Sequence, residues 1–474
     1  MSDRLLCALV LLLTIAGSGM TVSPGSEEVV MVVEMIRHGA RMPVYAALDV
    51  AWVKGLSEGK LTPIGYRQHY LLGMEMAKQY PSLFSKGLSH KEYYARSTGM
   101  QRTFASATSH LLGMWNHFNS SNLVFANGDE RISSPAATPE AMKANFNTPL
   151  QFGFTPPIVH TEIIPEDDFL FILNSGKCMW ANDASDDIMR QIMYDVEKDS
   201  DFEEKMAEVF DRYDLEYAPN NLYSKCMKVS DFAVMDVINN PNPRIKENED
   251  LFRHLAWCYE SAVAARYIDK DITKMSISNI MMDIESTFDR KIAKKTPLKL
   301  KLLSAHDSTL APFYVAFGLL NPQCYFDKKV ACGLFPGVAN NIVFELIELE
   351  NRHFVRVRVN FDPVDICGLK NKDSGYRCPY EQFKIWLDTK IDRNWMKGCG
   401  YPDPGFKVAT KPLPNLSAQW NTWKTAFFVL GFISFFIFLG ILLVCRALYK
   451  PRRAQLKGTN YIIRFERGHF IDKN

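Results

Sequence analysis

The sequence predicts an α/β protein: a large domain with a central, mostly parallel sheet flanked by helices, plus an inserted, mainly α-helical cap. Three observations predict it. The run "VVMVVEMIR" (29–37) is almost continuously apolar and β-branched, the pattern of a strand buried on both faces of a parallel sheet. Far downstream, "PLKLKLLSAHDSTLAPFYVAFGLL" repeats the same order of strand, polar loop and helix. Between the two, residues 165–290 are rich in Asp, Glu, Lys and Met and show helical periodicity without a strand pattern, as expected of an insertion in an interrupted domain.

The 474 residues divide in order along the chain. Residues 1–23 pair one early Arg with an apolar stretch and then small residues, which predicts a signal peptide. Residues 24–164 form the first part of the α/β core. The first strand, with Glu34 as its single polar interruption, is followed by "LTPIGYRQHYLLGMEMAKQY". There Thr62 suits an N-cap and Pro63 the first helical position. "KEYYARST" reads as a strand running into a loop, and "QRTFASATSHLLGMW" as the next helix. After the cap, 291–400 completes the core, with "NNIVFELIEL" and "HFVRVRVNF" as a hairpin at the sheet's edge, turning near Glu350-Asn351.

The end of the chain has a different texture. Residues 401–424 are proline-rich and read as a stalk. Residues 425–445 carry no charge, and 21 residues at about 1.5 Å each cross a bilayer core of about 30 Å. The tail, 446–474, holds eight Lys and Arg against two acids, which predicts a cytoplasmic tail and a single-pass type I topology. With +2 overall, the rest of the chain is slightly acidic, which argues against nucleic acid as a partner.

Of ten cysteines, Cys7 falls in the signal peptide and Cys445 in the span. The remaining eight, in an oxidising compartment, predict disulfides. No CxxC pair and no suitable carboxylate cluster suggests a metal, so none is expected, and no cofactor either. Sequons at Asn119 ("NSS") and Asn415 ("NLS") are glycosylation candidates.

In open α/β sheets ligands bind beyond the carboxyl ends of the strands. One strand end here supplies Arg37, His38 and Arg41, a second Arg96 and Arg102, a third His306 and Asp307. A single histidine after a strand is ordinarily structural, and an isolated arginine pair ordinarily solvated. Several such groups arriving at one rim point instead to an anion, and guanidinium forks match phosphate oxygens. Gly39 allows close backbone approach.

"RHGAR", "RSTGMQRTFASA" and "SAHDST", in that order, resemble the histidine acid phosphatases, in particular the membrane-anchored lysosomal and prostatic type. The likeness covers about residues 29–400 and touches "LTPIGYRQHYLLG" and "CPYEQF". It implies a phosphoglycerate-mutase-like histidine phosphatase fold and metal-free hydrolysis of phosphate monoesters with an acidic optimum. It also implies His38 as the nucleophile that becomes phosphohistidine, and Asp307 as the acid for the leaving oxygen. Arg37, Arg41, Arg102 and His306 would bind the phosphate, Arg96 would be structural, and His90 would line the pocket. The same resemblance implies the pairs Cys178–Cys399 and Cys367–Cys378, and a homodimer. Cys226 matches half of a third pair whose usual partner position, near Asn340, has no cysteine; Cys258, Cys324 and Cys332 all stay open as partners.

The expected substrates are small phosphomonoesters or phosphoproteins. A catalytically silent membrane receptor for phosphorylated ligands is the rival reading; it would not need Asp307. A phytase is nearer, but no basic run in residues 165–290 suits so polyanionic a substrate. A mutase fits poorly with a signal peptide. A serine hydrolase built on Ser304, His306 and Asp307 lacks the G-x-S-x-G elbow. The tail's "YKPR" and "YIIR" end in Arg rather than a bulky apolar residue, so a lysosomal or other endomembrane location and the cell surface are equally open.

Overall fold

The computed structural model describes residues 27–44, 56–85, 87–117, 157–163, 166–171, 173, 178–215, 221–327, 332–368 and 375–400. The expected signal peptide, stalk, span and tail, and both sequons at Asn119 and Asn415, lie outside them. Among the described residues no helix is long and apolar enough to cross a membrane.

Strand β1 (Glu28–Arg37) is buried without interruption from Met31 to Arg37, as its apolar run dictates. Glu34 is fully buried within it and is paired, to His110 at 3.0 Å and to Asn341 at 2.8 Å. Helix α1 (Pro63–Gln79) begins where its sequence says it should: Thr62 accepts a hydrogen bond from the Gly65 amide at 3.2 Å, and Pro63 takes the first turn. Helix α2 (Gln101–His117) lies across α1. A Cβ at Gly73 would collide with the His110 carbonyl, and one at Gly113 with that of Tyr70, so the two backbones touch.

The sheet is mixed. Its order is β3-β2-β4-β1-β5-β6-β7, with β2 (Tyr93–Thr98), β3 (His160–Glu162), β4 (Leu300–Ala305), β5 (Asn341–Leu349), β6 (Arg352–Val359) and β7 (Asp362–Val364). The last strand, β8 (Cys378–Pro379), also pairs with β6. Strands β1 to β4 are parallel to one another, and from β5 onward the pairing is antiparallel. Register brings three strand ends level: Arg37 pairs with Ala305, and Ser97 with Ser304. The residues next in the chain are therefore delivered to one rim.

The β5–β6 hairpin turns at Glu350-Asn351, both at positive φ as a two-residue turn of this hand requires. The sequence places this hairpin at the sheet's edge; the structure moves it inward. Strand β5 lies against β1, and β7 and β8 cover the far side of β6. The reason is burial: from Asn341 to Ile347 every residue of β5 is enclosed, so it needs a neighbour on both sides.

Among the described residues, five α-helices occupy the chain between β3 and β4: α3 (Met179–Val196), α4 (Ser200–Arg212), α5 (Leu222–Asn239), α6 (Asp250–Ala264) and α7 (Lys270–Ile292). In α4 the buried residues Phe202, Met206, Val209 and Phe210 form one stripe at helical spacing. Helix α8 (Asp307–Ala316) follows β4 directly, and α9 (Tyr380–Lys390) follows β8.

Four disulfides link the eight cysteines. Cys178–Cys399 and Cys367–Cys378 are the pairs implied by the resemblance. The partner of Cys226 is decided by the packing of α5 on α6, which sets it against Cys258 and leaves Cys324 to Cys332.

Candidate active site

At the rim where β1 and β4 end, His38 and His306 stand edge to face with ring centroids 5.5 Å apart. The His38 amide donates to the Ala305 carbonyl at 3.0 Å, so the sheet ladder continues one residue into the site. The loop after it lies flat on the start of α1. The Gly39 amide donates to Ser106 Oγ, the Ala40 amide to Gln68 Oε1, and a Cβ on Gly39 would stand 2.6 Å from the Gly65 carbonyl oxygen. Only glycine fits there.

The His38 tautomer follows from one contact. Nδ1 lies 2.9 Å from the Gly39 carbonyl oxygen, which can only accept, so Nδ1 carries the proton and Nε2 the lone pair. Burial, then the charges of Arg102 and Arg37, with His306 and Arg41, hold its pKa well below the usual histidine value. Both effects favour the neutral imidazole.

His306 is neutral for similar reasons, burial first and then Arg102, although Asp307 opposes them. Its Nε2 shares a 2.9 Å hydrogen bond with Thr98 Oγ1, which in turn meets Thr103 Oγ1 at 2.8 Å. The other ring nitrogen, Nδ1, can donate only if the Thr98 hydroxyl donates to Nε2. Phe171 packs on the ring at 5.0 Å between centroids.

The three arginines differ in their engagement. Arg37 is 2 % exposed; its Nη1 donates to the Pro336 carbonyl at 2.6 Å, and its Nη2 contacts the Tyr259 hydroxyl at 2.5 Å and Asp307 Oδ2 at 2.7 Å. Arg41 is held by Asp231 at 2.6 Å and by the Met42 carbonyl. Burial pulls its pKa down, but Asp231 more than offsets that and raises it. Arg102 has no hydrogen-bond or ion-pair partner among the described residues. Burial and the Arg41 charge hold its pKa at about 10. The sequence expects three arginine forks for an anion; in the structure two already face carboxylates.

Asp307 begins α8. Burial pushes its carboxyl up, but the Arg37 charge, the Tyr259 hydrogen bond, His306 and Arg41 together prevail and hold it at about 2. It stands here as a carboxylate. Its Oδ2 accepts from Tyr259 at 2.8 Å and its Oδ1 from the Ser308 amide.

The other candidate positions fall elsewhere. His90 is not brought to this rim: it is exposed in the turn before β2, at the opposite end of that strand from Thr98. A strand's length separates the two, so it does not line the pocket. Arg96 pairs with Glu162 at 2.6 Å and Asp167 at 2.8 Å over the Phe169 ring, a structural role. The Ser304 hydroxyl donates to the Thr103 carbonyl, which occupies the group a serine nucleophile would need. Among the described residues the one cluster with metal-ligand spacing is Cys226, His254 and Cys258, and its two sulfurs are bonded to each other.

Four side chains that hold the candidate residues escape the sequence reading: Asp231, Tyr259, Thr98 and Thr103. Asp231 left a trace, since an acid inside the apolar face of α5 is costly to bury without a partner. Tyr259 left none; a tyrosine on an amphipathic helix is ordinary.

The histidine phosphatase superfamily (branch 2) model matches residues 28–360. The prostatic acid phosphatase of Rattus norvegicus is 23 % identical over 393 residues, covering 79 % of this chain and 90 % of that protein. The lysosomal acid phosphatase of Xenopus laevis is 23 % identical over 399 residues, covering 79 % of each. Among solved structures, the multiple inositol polyphosphate phosphatase of Bifidobacterium longum, in complex with inositol hexasulfate, superposes with a TM-score of 0.54 at 12 % identity. It covers 80 % of this chain and 96 % of that one. The phytase of Citrobacter braakii gives 0.50 at 14 % identity, covering 78 % and 99 %.

Proposed function

The chain belongs to the histidine phosphatase superfamily, branch 2, and from that premise we propose that it is an acid phosphatase that hydrolyses phosphate monoesters through a phosphohistidine on His38. It is a phosphoric monoester hydrolase by family. The observation that carries the mechanism is the His38 Nδ1 contact with the Gly39 carbonyl, because it leaves a neutral Nε2 lone pair beside three arginines.

In the first step Nε2 attacks phosphorus, the bond to the ester oxygen breaks, and Asp307 gives that oxygen its proton. In the second, water attacks phosphorus, the P–N bond breaks, and the Asp307 carboxylate takes the water's proton. Arg37, Arg41, Arg102 and His306 stabilise charge on the three transferring oxygens, the kind of preorganised donation that dominates such barriers. An alkoxide is a poor leaving group, so the acid must be protonated.

The carboxylate state of Asp307 is reconciled with this role by Arg37. A phosphate dianion that draws the Arg37 fork away removes the main counter-charge of Asp307 and sets a negative group beside it. Both raise the carboxyl's pKa. Substrate binding thereby favours protonation of the acid, and an acidic optimum follows.

The test is to express the full chain in a secretory host and assay it against a phosphomonoester panel that includes inositol phosphates, across pH, with and without a chelator. Turnover that is strongest in acid, insensitive to chelator and absent in His38→Ala is expected. Binding without turnover would instead favour the receptor reading, and preference for inositol phosphates the phytase reading. A type I anchor with a lumenal or extracellular catalytic region belongs to the same proposal. It is supported by the uncharged residues 425–445 and by four disulfides of a kind that form in oxidising compartments.

A further inference from the structure

Tyr259 enters the site from α6, and neither step of the phosphohistidine mechanism uses it. Its hydroxyl oxygen accepts from Arg37 Nη2 at 2.5 Å and donates to Asp307 Oδ2 at 2.8 Å. Arg37 Nη2 and Asp307 Oδ2 are themselves 2.7 Å apart, so the three atoms close a triangle. The ring is half-buried, packs edge-on to Phe335 at 6.1 Å and lies under the Arg37 guanidinium at 5.7 Å. Its neighbour Cys258 is bonded to Cys226, which pins this part of α6 to α5.

We propose that Tyr259 is a positioning residue for the leaving-group acid: its hydroxyl holds Asp307 and Arg37 on a shared oxygen and so sets the pH above which Asp307 stops serving as acid. This rests on the phosphohistidine reading, in which Asp307 must carry a proton. A phenol O–H that donates to a carboxylate favours the charged form. The triangle holds while Arg37 pairs with Asp307. Once an anion takes Arg37, Tyr259 remains to fix the carboxyl's orientation toward the ester oxygen.

Other groups face Asp307, and the test must separate them. Arg37, His38 and Arg41 come from β1 and the loop after it, Arg102 from α2, Asp231 from α5, and His306 from the end of β4. Tyr267 reaches the adjacent Ser308 carbonyl from the turn after α6. Glu260, beside Tyr259, is the chief confounder, because burial pushes its carboxyl up to about 7 and it lies within reach of the Arg37 charge.

The experiment measures kcat against pH for an alkyl phosphate, whose poor leaving group makes protonation limiting, in full-length wild type, Tyr259→Phe, Glu260→Gln and Asp307→Asn/Tyr259→Phe. In wild type the rate falls as pH rises through the Asp307 pKa of the substrate complex. Removal of the donor raises that pKa, so the alkaline limb in Tyr259→Phe should move upward by about one pH unit, the size of one hydrogen bond to a charged group. Glu260→Gln should leave the limb in place, and Tyr259→Phe should have no further effect on the limb once Asp307 is Asn.

Should Tyr259→Phe not fold, Tyr259→Gln keeps a donor and should hold the limb near its wild-type position. An unmoved limb in Tyr259→Phe, with kcat lowered equally at every pH, overturns the proposal, as does a limb that follows Glu260→Gln or a displaced limb in Tyr259→Gln. Absence of phosphatase activity in wild type would instead sink the underlying reading. Active wild type with an indifferent Tyr259 removes the present inference alone.

Discussion

Asp307 and Arg37 form an ion pair at 2.7 Å across the ends of β4 and β1, Arg37 buried and Asp307 partly so, and the tyrosine hydroxyl of α6 bonds both. The group proposed to give a proton and the group proposed to grip the phosphate are thus each other's partner. In the proposed mechanism, competition between that pair and an incoming anion couples binding to the chemistry.

Asp307→Asn tests the pair in two ways. As an acid, its loss should slow alkyl phosphates far more than aryl phosphates with good leaving groups; equal losses along a leaving-group series would remove Asp307 from that role. As an ion-pair partner, its loss leaves the Arg37 charge buried and unbalanced, a change that typically costs about 3–5 kcal/mol, here toward the lower end because the Pro336 carbonyl and Tyr259 stay. Thermal unfolding at pH 7 would show it.

The same pair sets a pH dependence of stability. The Asp307 carboxyl is held at about 2, below its ordinary value near 4, so it stabilises the fold fully above the unfolded pKa. That contribution is lost as pH falls from about 4 toward 2. The wild-type melting temperature should therefore drop in that window, and the drop should be smaller in Asp307→Asn.

Arg102 and Arg41 should behave differently although both are proposed to bind the phosphate. Arg102 has no protein partner among the described residues, so Arg102→Ala should reduce kcat/KM by about 10²–10³ with little change in melting temperature. Arg41→Ala leaves Asp231 buried without its counter-charge and should lower both activity and stability. Equal melting temperatures for the two variants would contradict the division.

The Cys226–Cys258 disulfide joins the two helices that carry Asp231 and Tyr259. It closes a stretch with a separation of 32 residues, for which chain entropy suggests about 3–4 kcal/mol. Replacing both cysteines by Ala should lower stability and kcat together. Replacing Cys324 and Cys332, whose separation is 8 residues, should leave kcat almost unchanged.

Parts of the fold and site were legible because they are local. Thr62-Pro63 opens a helix through its own amide geometry, and the β-branched run before Arg37 is buried because of its own side chains. The strand-end residues Arg37, His38, His306 and Asp307 could be read as one rim because parallel strands deliver their outgoing loops to the same side. His90 was carried over from the resemblance alone, and a motif match does not say which end of a strand the residue occupies.

By itself, then, the sequence determined the α/β architecture, from residues close in the chain or repeated at a structural period, and carried the motifs by which it resembles its family. Only the tertiary structure decided that Arg41 answers to Asp231 and Arg37 to Tyr259 and Asp307, that Cys226 pairs with Cys258, and that Arg102 alone of the three arginines lacks a described partner. Arg37 and Tyr259 are 222 residues apart, and Arg41 and Asp231 are 190. Which of many acids and phenols meets a given arginine depends on how helices pack over the rim, and no periodicity along the chain encodes that choice.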